Sequence, residues 1–192
     1  MPVVTVPPAR DGNPQRPRTN RNGLVSTDEI AEPADPPDTG ALMLRDATPA
    51  DIAFIQAIAD APDNWDKLET YPEETLRQAI LGPGSRVLIW QSRDGPQGFC
   101  WLKQEHTGFK LEEFGVLRPG RGTGRPFLQA VLDQLRQAGA ARIWLTVAAD
   151  NAGAIRFYST FGFIRGAVRP GVWHRRRGPV ADALRMDLAL RP

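Results

Sequence analysis

The stretch RPGRGTGRPFLQAV, residues 118–131, decides the fold class of this chain. Three arginines and three glycines are followed directly by apolar residues at helical spacing, so the stretch predicts a glycine-rich loop that leads into a helix. Strand-like segments flank this unit, FKLEEFGVL at 109–117 and ARIWLTVA at 141–148. A strand, a helix and a strand in succession over about 111–147 require a parallel pair of strands.

Outward from this unit, the chain alternates further helical and strand-like segments. Helices are predicted for TPADIAFIQAIADA (48–61, with Thr48 as cap and Pro49 as first residue), PEETLRQAIL (72–81) and NAGAIRFYSTFG (151–162). Strands are predicted for ALMLRDA (41–47), SRVLIWQ (85–91), GFCWLKQE (98–105), FIRGAVR (163–169) and VADALRMDLAL (180–190). The order indicates an α+β fold: one domain, residues 41–192, with a mixed and mostly antiparallel central sheet flanked by helices.

Residues 1–40 differ in composition from the rest of the chain. They contain eight prolines and no aromatic residue, so they lack the apolar surface that offsets the entropy of folding, and we expect a disordered Pro-rich tail. The 192-residue chain has a formal net charge of +2, which argues against a nucleic-acid partner. No apolar stretch approaches the roughly 20 residues of a membrane helix, so we expect no membrane partner and a cytoplasmic location. The single cysteine, Cys100, is expected to be a buried strand residue.

The glycine-rich loop predicts an anion site. Backbone N–H groups and the positive end of the helix dipole converge where a helix begins. Glycines let the backbone approach a phosphate closely, and Arg118, Arg121 and Arg125 add positive charge. The loop has neither the Gly-Lys-Ser/Thr ending of nucleoside triphosphatases nor the glycine register of dinucleotide-binding folds. Glycine spacing alone therefore leaves a purely structural turn open.

A second segment, VAADNAGAIRFYSTFGF at 147–163, narrows the alternatives. It places Asn151 at a strand end, Tyr158 seven residues later, and a Gly162-Phe163 pair after that. With GRGTGRPFL before it, this pattern resembles the GNAT superfamily of acyl-CoA-dependent N-acyltransferases, whose Asn-x-x-Ala-x-x-x-Tyr-x-x-x-Gly-Phe stretch it matches. The resemblance covers about residues 42–190, because the order of elements also agrees.

The resemblance implies acetyl-CoA as the co-substrate and no metal. It places the pyrophosphate on the loop Arg121, Gly122, Thr123, Gly124 and Arg125, and the pantetheine arm and thioester against backbone groups of Val116 and Leu117. Asn151 would contact the arm, while also capping a helix. Tyr158 would face the sulfur as the acid for the departing thiolate. One departure is Pro119, where many members have Gln or Arg, and Arg118 is the candidate substitute.

The base that deprotonates the acceptor amine is less well defined by the sequence. Glu112 and Glu113 are neighbours on a strand, so they should point to opposite faces unless a bulge intervenes, and we favour Glu113. Some relatives carry the base at a position matching Thr146, which threonine cannot replace. His106 and a water chain are further alternatives. The run WHRRRG, 173–178, is expected near the acceptor opening, as a solvated turn or as an attractor of acidic acceptors.

The sequence thus predicts an N-acetyltransferase that moves an acetyl group from acetyl-CoA to a primary amine by direct attack in a ternary complex. A peptide or protein α-amino group and a small-molecule amine both remain open as acceptors, and a homodimer is possible. The alternative is a non-catalytic acyl-CoA-binding or sensor domain of the same fold.

Overall fold

A computed structural model describes residues 42–176 and 178–191, so the predicted tail and its boundary near residue 41 lie outside the described residues. The strands are β1 (Met43–Asp46), β2 (Ser85–Ser92), β3 (Gly95–Glu105), β4 (Gly108–Val116), β5 (Arg142–Ala148), β6 (Ile164–Trp173) and β7 (Ala181–Ala189). The helices are α1 (Ile52–Asp60), α2 (Glu73–Leu81), α3 (Gly124–Gln137) and α4 (Ala152–Ser159).

The strands form one seven-stranded sheet in the order β1-β2-β3-β4-β5-β7-β6. Every neighbouring pair is antiparallel except β4 and β5, which are parallel and joined through α3. The mixed, mostly antiparallel sheet predicted from the sequence is therefore confirmed, including the parallel pair around the glycine-rich loop.

Helices cover the sheet on two faces. The apolar side of α3 packs against strands β2 to β5 and β7 together with Ile155 of α4, and its five predicted core residues are all buried: Phe127, Leu128, Val131, Leu132 and Leu135. Helices α1 and α2 pack on the other face against Val87, Ile89, Phe99 and Trp101. Cys100 lies buried in β3, as predicted. Burial of each aliphatic side chain in these two clusters stabilises the folded state by on the order of 1.5–3 kcal/mol.

Several element boundaries differ from the sequence prediction. A 3-10 turn at Pro49–Asp51 precedes α1, because the Asp51 carboxylate accepts hydrogen bonds from the Thr48 backbone N–H (2.8 Å) and hydroxyl (3.0 Å) and closes a tight capping box. Helix α3 begins at Gly124, the last glycine of the loop, and Pro126 lies inside its first turn. Strand β6 continues to Trp173 through two irregularities in its pairing with β7.

The described helices are short. The longest, α3, has 14 residues, and none of the helices in the described ranges is long and apolar enough to cross a membrane.

Candidate active site

The site lies where β4 and β5 separate. The two strands pair only over Phe109–Leu111 and Ile143–Leu145, after which they diverge. Between them opens a cavity of about 570 Å³. Its walls come from the far end of β4, the glycine-rich loop, the end of β5, α4 and the loop between α1 and α2. The predicted site residues that line it are Glu113, Val116, Gly122, Gly124, Arg125, Asn151 and Tyr158.

The glycine-rich loop forms one end of the cavity. Gly120 and Gly122 have φ values of +77° and +84°, and no atom lies within 4 Å of a Cβ built on either residue. Backbone conformation, and not crowding, therefore requires glycine at both positions. Within the described residues, the backbone N–H groups of Gly122, Thr123 and Gly124 have no hydrogen-bond partner, and no side chain caps α3. A helix beginning with free N–H groups is suited to an anion.

The arginines of this loop differ in their placement. Arg125 lines the cavity, stacks over the ring of Phe161 (5.4 Å to the centroid) and donates to the Thr160 hydroxyl at 3.3 Å. Arg118 and Arg121 are exposed, and neither they nor Thr123 are among the lining residues.

Val116 and Leu117, predicted to offer backbone contacts at the end of β4, are placed differently. The Leu117 N–H donates to the Gln97 carbonyl at 2.8 Å, so it is engaged in the sheet, and Leu117 does not line the cavity. Val116 does line it, and its carbonyl accepts from the amide of Asn64 at 3.4 Å. Asn64 is only 4% exposed and also donates to the Ile58 carbonyl at 3.0 Å. Sequence reasoning missed Asn64, because it lies in a loop without periodicity or motif.

Asn151 and Tyr158 belong to the α4 side of the cavity. The Asn151 side chain accepts from the Ala154 N–H at 3.0 Å, so its predicted role as helix cap is confirmed. The Tyr158 ring packs edge-on against Phe157 and Phe163, at centroid distances of 5.2 and 5.5 Å. Burial raises the pKa of the Tyr158 phenol, which therefore keeps its proton at neutral pH.

A β-bulge in β4 brings two carboxylates to the same cavity. Glu113 pairs with Trp101 and Leu111 pairs with Leu102, which leaves Glu112 as the extra residue. Glu112 and Glu113 consequently both line the cavity. Strict alternation would have sent them to opposite faces, and the bulge is the exception under which both reach one cavity, because it interrupts the alternation of side chains.

The two carboxylates have different electrostatic surroundings. Burial acts to raise the pKa of Glu112, but ion pairs with Lys110 (2.5 Å) and Lys103 (3.0 Å) outweigh it and lower that pKa below its ordinary value. Burial raises the pKa of Glu113 to about 8, although Oε1 accepts hydrogen bonds from the Tyr71 hydroxyl (3.1 Å) and the Glu69 N–H (3.4 Å). Glu112 is thus a paired anion, whereas Glu113 exchanges a proton near neutral pH.

The two other positions considered for the general base differ in their distance from the cavity and in their chemistry. Thr146 lines the cavity but has no basic group, and His106 lies exposed in the turn between β3 and β4, outside the lining residues. No group of three or more histidine, cysteine, aspartate or glutamate residues within 42–176 and 178–191 is placed to hold a metal ion.

A second cavity of about 330 Å³ adjoins the first and shares Lys67, Leu68 and Trp173 with it. Its lining includes the first four residues of the WHRRRG run, Trp173, His174, Arg175 and Arg176. Arg175 is paired with Asp150, and Arg176 with Asp60 at 2.9 Å, so both guanidinium groups already have carboxylate partners. These pairs reduce the positive charge that the sequence suggested for attracting an acidic acceptor.

Comparison with known proteins agrees with this geometry. The family described as Acetyltransferase (GNAT) family matches residues 52–163, more than half of the chain. A mycothiol acetyltransferase of Clavibacter sepedonicus is 30% identical over an alignment of 137 residues, which covers 62% of this chain and 45% of that protein. The [ribosomal protein bS18]-alanine N-acetyltransferase of Escherichia coli K12 is 36% identical over 70 residues, 36% of this chain and 47% of that protein. The chain spans about half the length of these sequence relatives.

Solved structures show the same fold. The ribosomal-protein-S18-alanine N-acetyltransferase from Escherichia coli superposes with a TM-score of 0.67 at 22% identity, covering 79% of this chain and 96% of that one. A spermidine N-acetyltransferase from Vibrio cholerae, solved with CoA and spermine, gives a TM-score of 0.67 at 20% identity and covers 78% of this chain and 95% of its own.

Proposed function

This chain belongs to the acetyltransferase (GNAT) family, and from that premise we propose that it transfers an acetyl group from acetyl-CoA to a primary amine by direct attack in a ternary complex. One observation carries the proposal. A single cavity between the diverging ends of β4 and β5 has free backbone N–H groups at one end and a carboxyl–phenol pair, Glu113 and Tyr158, in its walls.

The loop end of the cavity fits the pyrophosphate of the co-substrate. The free N–H groups of Gly122, Thr123 and Gly124 supply donors without a Cβ at either glycine, and the dipole of α3 adds a favourable potential. Arg125 adds a cation inside the cavity, and Arg121 adds one at the exposed surface of the loop. Asn151 and Val116 line the same cavity as the loop and the two titratable groups, so both are available to the pantetheine arm in this proposal.

Glu113 and Tyr158 supply the two proton transfers that the reaction needs. A primary amine is mostly protonated at neutral pH, so Glu113 removes a proton before or as the nitrogen attacks the thioester carbonyl. The carbon–sulfur bond then breaks, the sulfur takes the phenolic proton of Tyr158, and the second proton lost by the attacking nitrogen returns to the Tyr158 phenolate through solvent. We do not assign the Leu117 N–H as a hydrogen-bond donor to the co-substrate, because it already donates to the Gln97 carbonyl.

The second cavity, lined by Trp65, Glu69, Trp173 and neighbours, is the proposed approach for the acceptor. One sequence relative is named for mycothiol, a small molecule, and the other for an alanine of ribosomal protein bS18. A small-molecule amine and a protein α-amino group therefore both remain in the proposal. A cytoplasmic location and a homodimer stay predictions.

The test begins with calorimetric titration of the full chain with acetyl-CoA, using NADH and ATP at matched salt as controls. Selective binding of acetyl-CoA is expected, followed by acetylation within a panel of polyamines, amino acids and peptide N-termini. Tyr158→Phe should lower turnover while acetyl-CoA affinity stays nearly unchanged, because only the proton donor is lost. Selective binding without turnover on any amine would favour a non-catalytic acyl-CoA-binding domain instead, and equal binding of all three nucleotides would reject the proposal.

A further inference from the structure

Tyr71, which the proposed reaction does not use, contacts the proposed base directly. It lies in the loop between α1 and α2, and its hydroxyl donates to Oε1 of Glu113 at 3.1 Å. The backbone N–H of Glu69 donates to the same oxygen at 3.4 Å. Within the described chain no donor reaches Oε2, so both hydrogen bonds hold one oxygen and leave the other available in the cavity.

The phenol of Tyr71 is itself held in place by the sheet and by α1. Its ring meets Trp101 edge-on, with centroids 5.0 Å apart at 73°. Trp101 is 4% exposed, is the cross-strand partner of Glu113, and donates from its indole nitrogen to the Ser85 hydroxyl at 2.6 Å. The side-chain amide of Gln56 donates to the Tyr71 carbonyl at 3.3 Å. The hydroxyl is therefore presented to Glu113 by a packed ring and an anchored backbone.

We propose that Tyr71 is a positioning residue, which fixes Oε1 of Glu113 so that Oε2 is the oxygen that accepts the proton of the acceptor amine. The inference rests on the proposed function of Glu113 as base. A carboxylate that rotates freely would offer either oxygen in many orientations, whereas one anchored oxygen reduces the reorganisation needed for proton transfer.

The charges around Glu113 determine what loss of the phenol should do. Two carboxylates, Glu69 of the loop and Glu112 of the same strand, have the same charge as ionised Glu113 and disfavour that form. Glu112 is itself paired with Lys103 and Lys110. Lys67 and Tyr158 line the same cavity. The Tyr71 hydroxyl stabilises the ionised form of Glu113 against these like charges. Its removal should therefore raise the pKa of that carboxyl.

The test compares the full chain with Tyr71→Phe, which keeps the ring on Trp101 and deletes only the hydroxyl. The acid limb of kcat/KM is expected to move to higher pH by about half a unit or more, the size of one hydrogen bond to a carboxylate. The KM for acetyl-CoA should not change. Tyr158→Phe, which alters the only other tyrosine of the chain, is the matched control and should lower the rate without moving this limb. Unchanged thermal melting confirms that each variant is folded.

Two further results separate failure of this inference from failure of the proposed function. In the Glu113→Gln background, Tyr71→Phe should cause no additional loss of turnover, because a positioning residue acts only through its partner. An equal loss in both backgrounds would overturn the inference. The carbon-13 titration of the Glu113 carboxyl, assigned by its absence in Glu113→Gln, needs no substrate. An unchanged midpoint in Tyr71→Phe would also overturn it, even if no amine were acetylated.

Discussion

Glu112 and Glu113 are adjacent in the chain but have different charges around them. Glu112 has two lysines within ion-pair distance, whereas Glu113 has a phenol and one backbone N–H. A base that works near neutral pH must release its proton there, and a carboxylate held by two cations is a weak base. The residue type alone could not distinguish the two, because the difference comes from lysines on β3 and β4 and from a tyrosine 42 positions away.

Glu113→Gln should change both turnover and the pH dependence of stability. Turnover should fall by about 100-fold or more, because a general base contributes about that much. In the wild type the folded pKa of about 8 exceeds the ordinary value of 4.5. Between these two pH values the folded state binds more protons than the unfolded state, so stability should fall as pH rises from about 4.5 to 8. The variant should lack that slope.

Chemical unfolding of both proteins at several pH values between 4 and 9 measures this difference. Parallel curves for the wild type and Glu113→Gln would contradict a raised pKa at this residue. A difference that grows with pH, with the variant gaining relative stability, is the expected result.

At the scale of the elements, the loop before α3 and the bulge in β4 form the two ends of the site. The loop could be predicted from the sequence, because alternating glycines directly before an amphipathic run indicate a loop with positive φ values that leads into a helix. The bulge could not, since an extra residue in a ladder leaves no composition signal and is fixed by pairing with β3. The engagement of the Leu117 N–H also depends on a residue distant in the sequence, Gln97.

Gly122→Ala should weaken acetyl-CoA binding through the backbone. Alanine at φ +84° costs roughly 1–2 kcal/mol, so the loop should leave the conformation that its proposed N–H contacts to the pyrophosphate require. An affinity loss of about tenfold corresponds to this energy. Calorimetric titration of the variant measures it.

Gly84→Ala provides the matched control for the loop. Gly84 has a similar φ of +73°, equally open space around a built Cβ, and a position in the turn before β2 that does not line the cavity. It should cost similar stability and leave acetyl-CoA affinity unchanged. Equal affinity losses in the two variants would show that strain anywhere in the domain, and not the loop itself, weakens binding.

At the scale of the whole molecule, the sequence predicted the architecture better than the site. Helix α3 and the strands have strong periodic patterns, and the order of elements requires one parallel pair. Asn64 and Tyr71 were not predicted as site residues, because both lie in the irregular loop between α1 and α2 and reach β4 only through tertiary packing. Site residues that belong to a sequence motif can be identified from the sequence. Loop residues that contact those site residues can be identified only from the folded structure.

The proposed acetyl-CoA site lies between the diverging ends of β4 and β5 and therefore exists only in the folded domain. Acetyl-CoA should consequently stabilise this domain against unfolding. A ligand bound only by the folded state at 100 times its Kd adds about 2.7 kcal/mol of stability. For a domain of this size each kcal/mol raises the melting temperature by roughly 2–4 °C, so a shift of about 5–10 °C is expected. Differential scanning calorimetry with and without acetyl-CoA measures it. Glu113→Gln should keep the full shift, since the base does not hold the pyrophosphate, and Gly122→Ala should lose part of it at the same ligand concentration. A full shift in Gly122→Ala would place the nucleotide away from the glycine-rich loop, and no shift in the wild type would show that the folded domain does not bind acetyl-CoA.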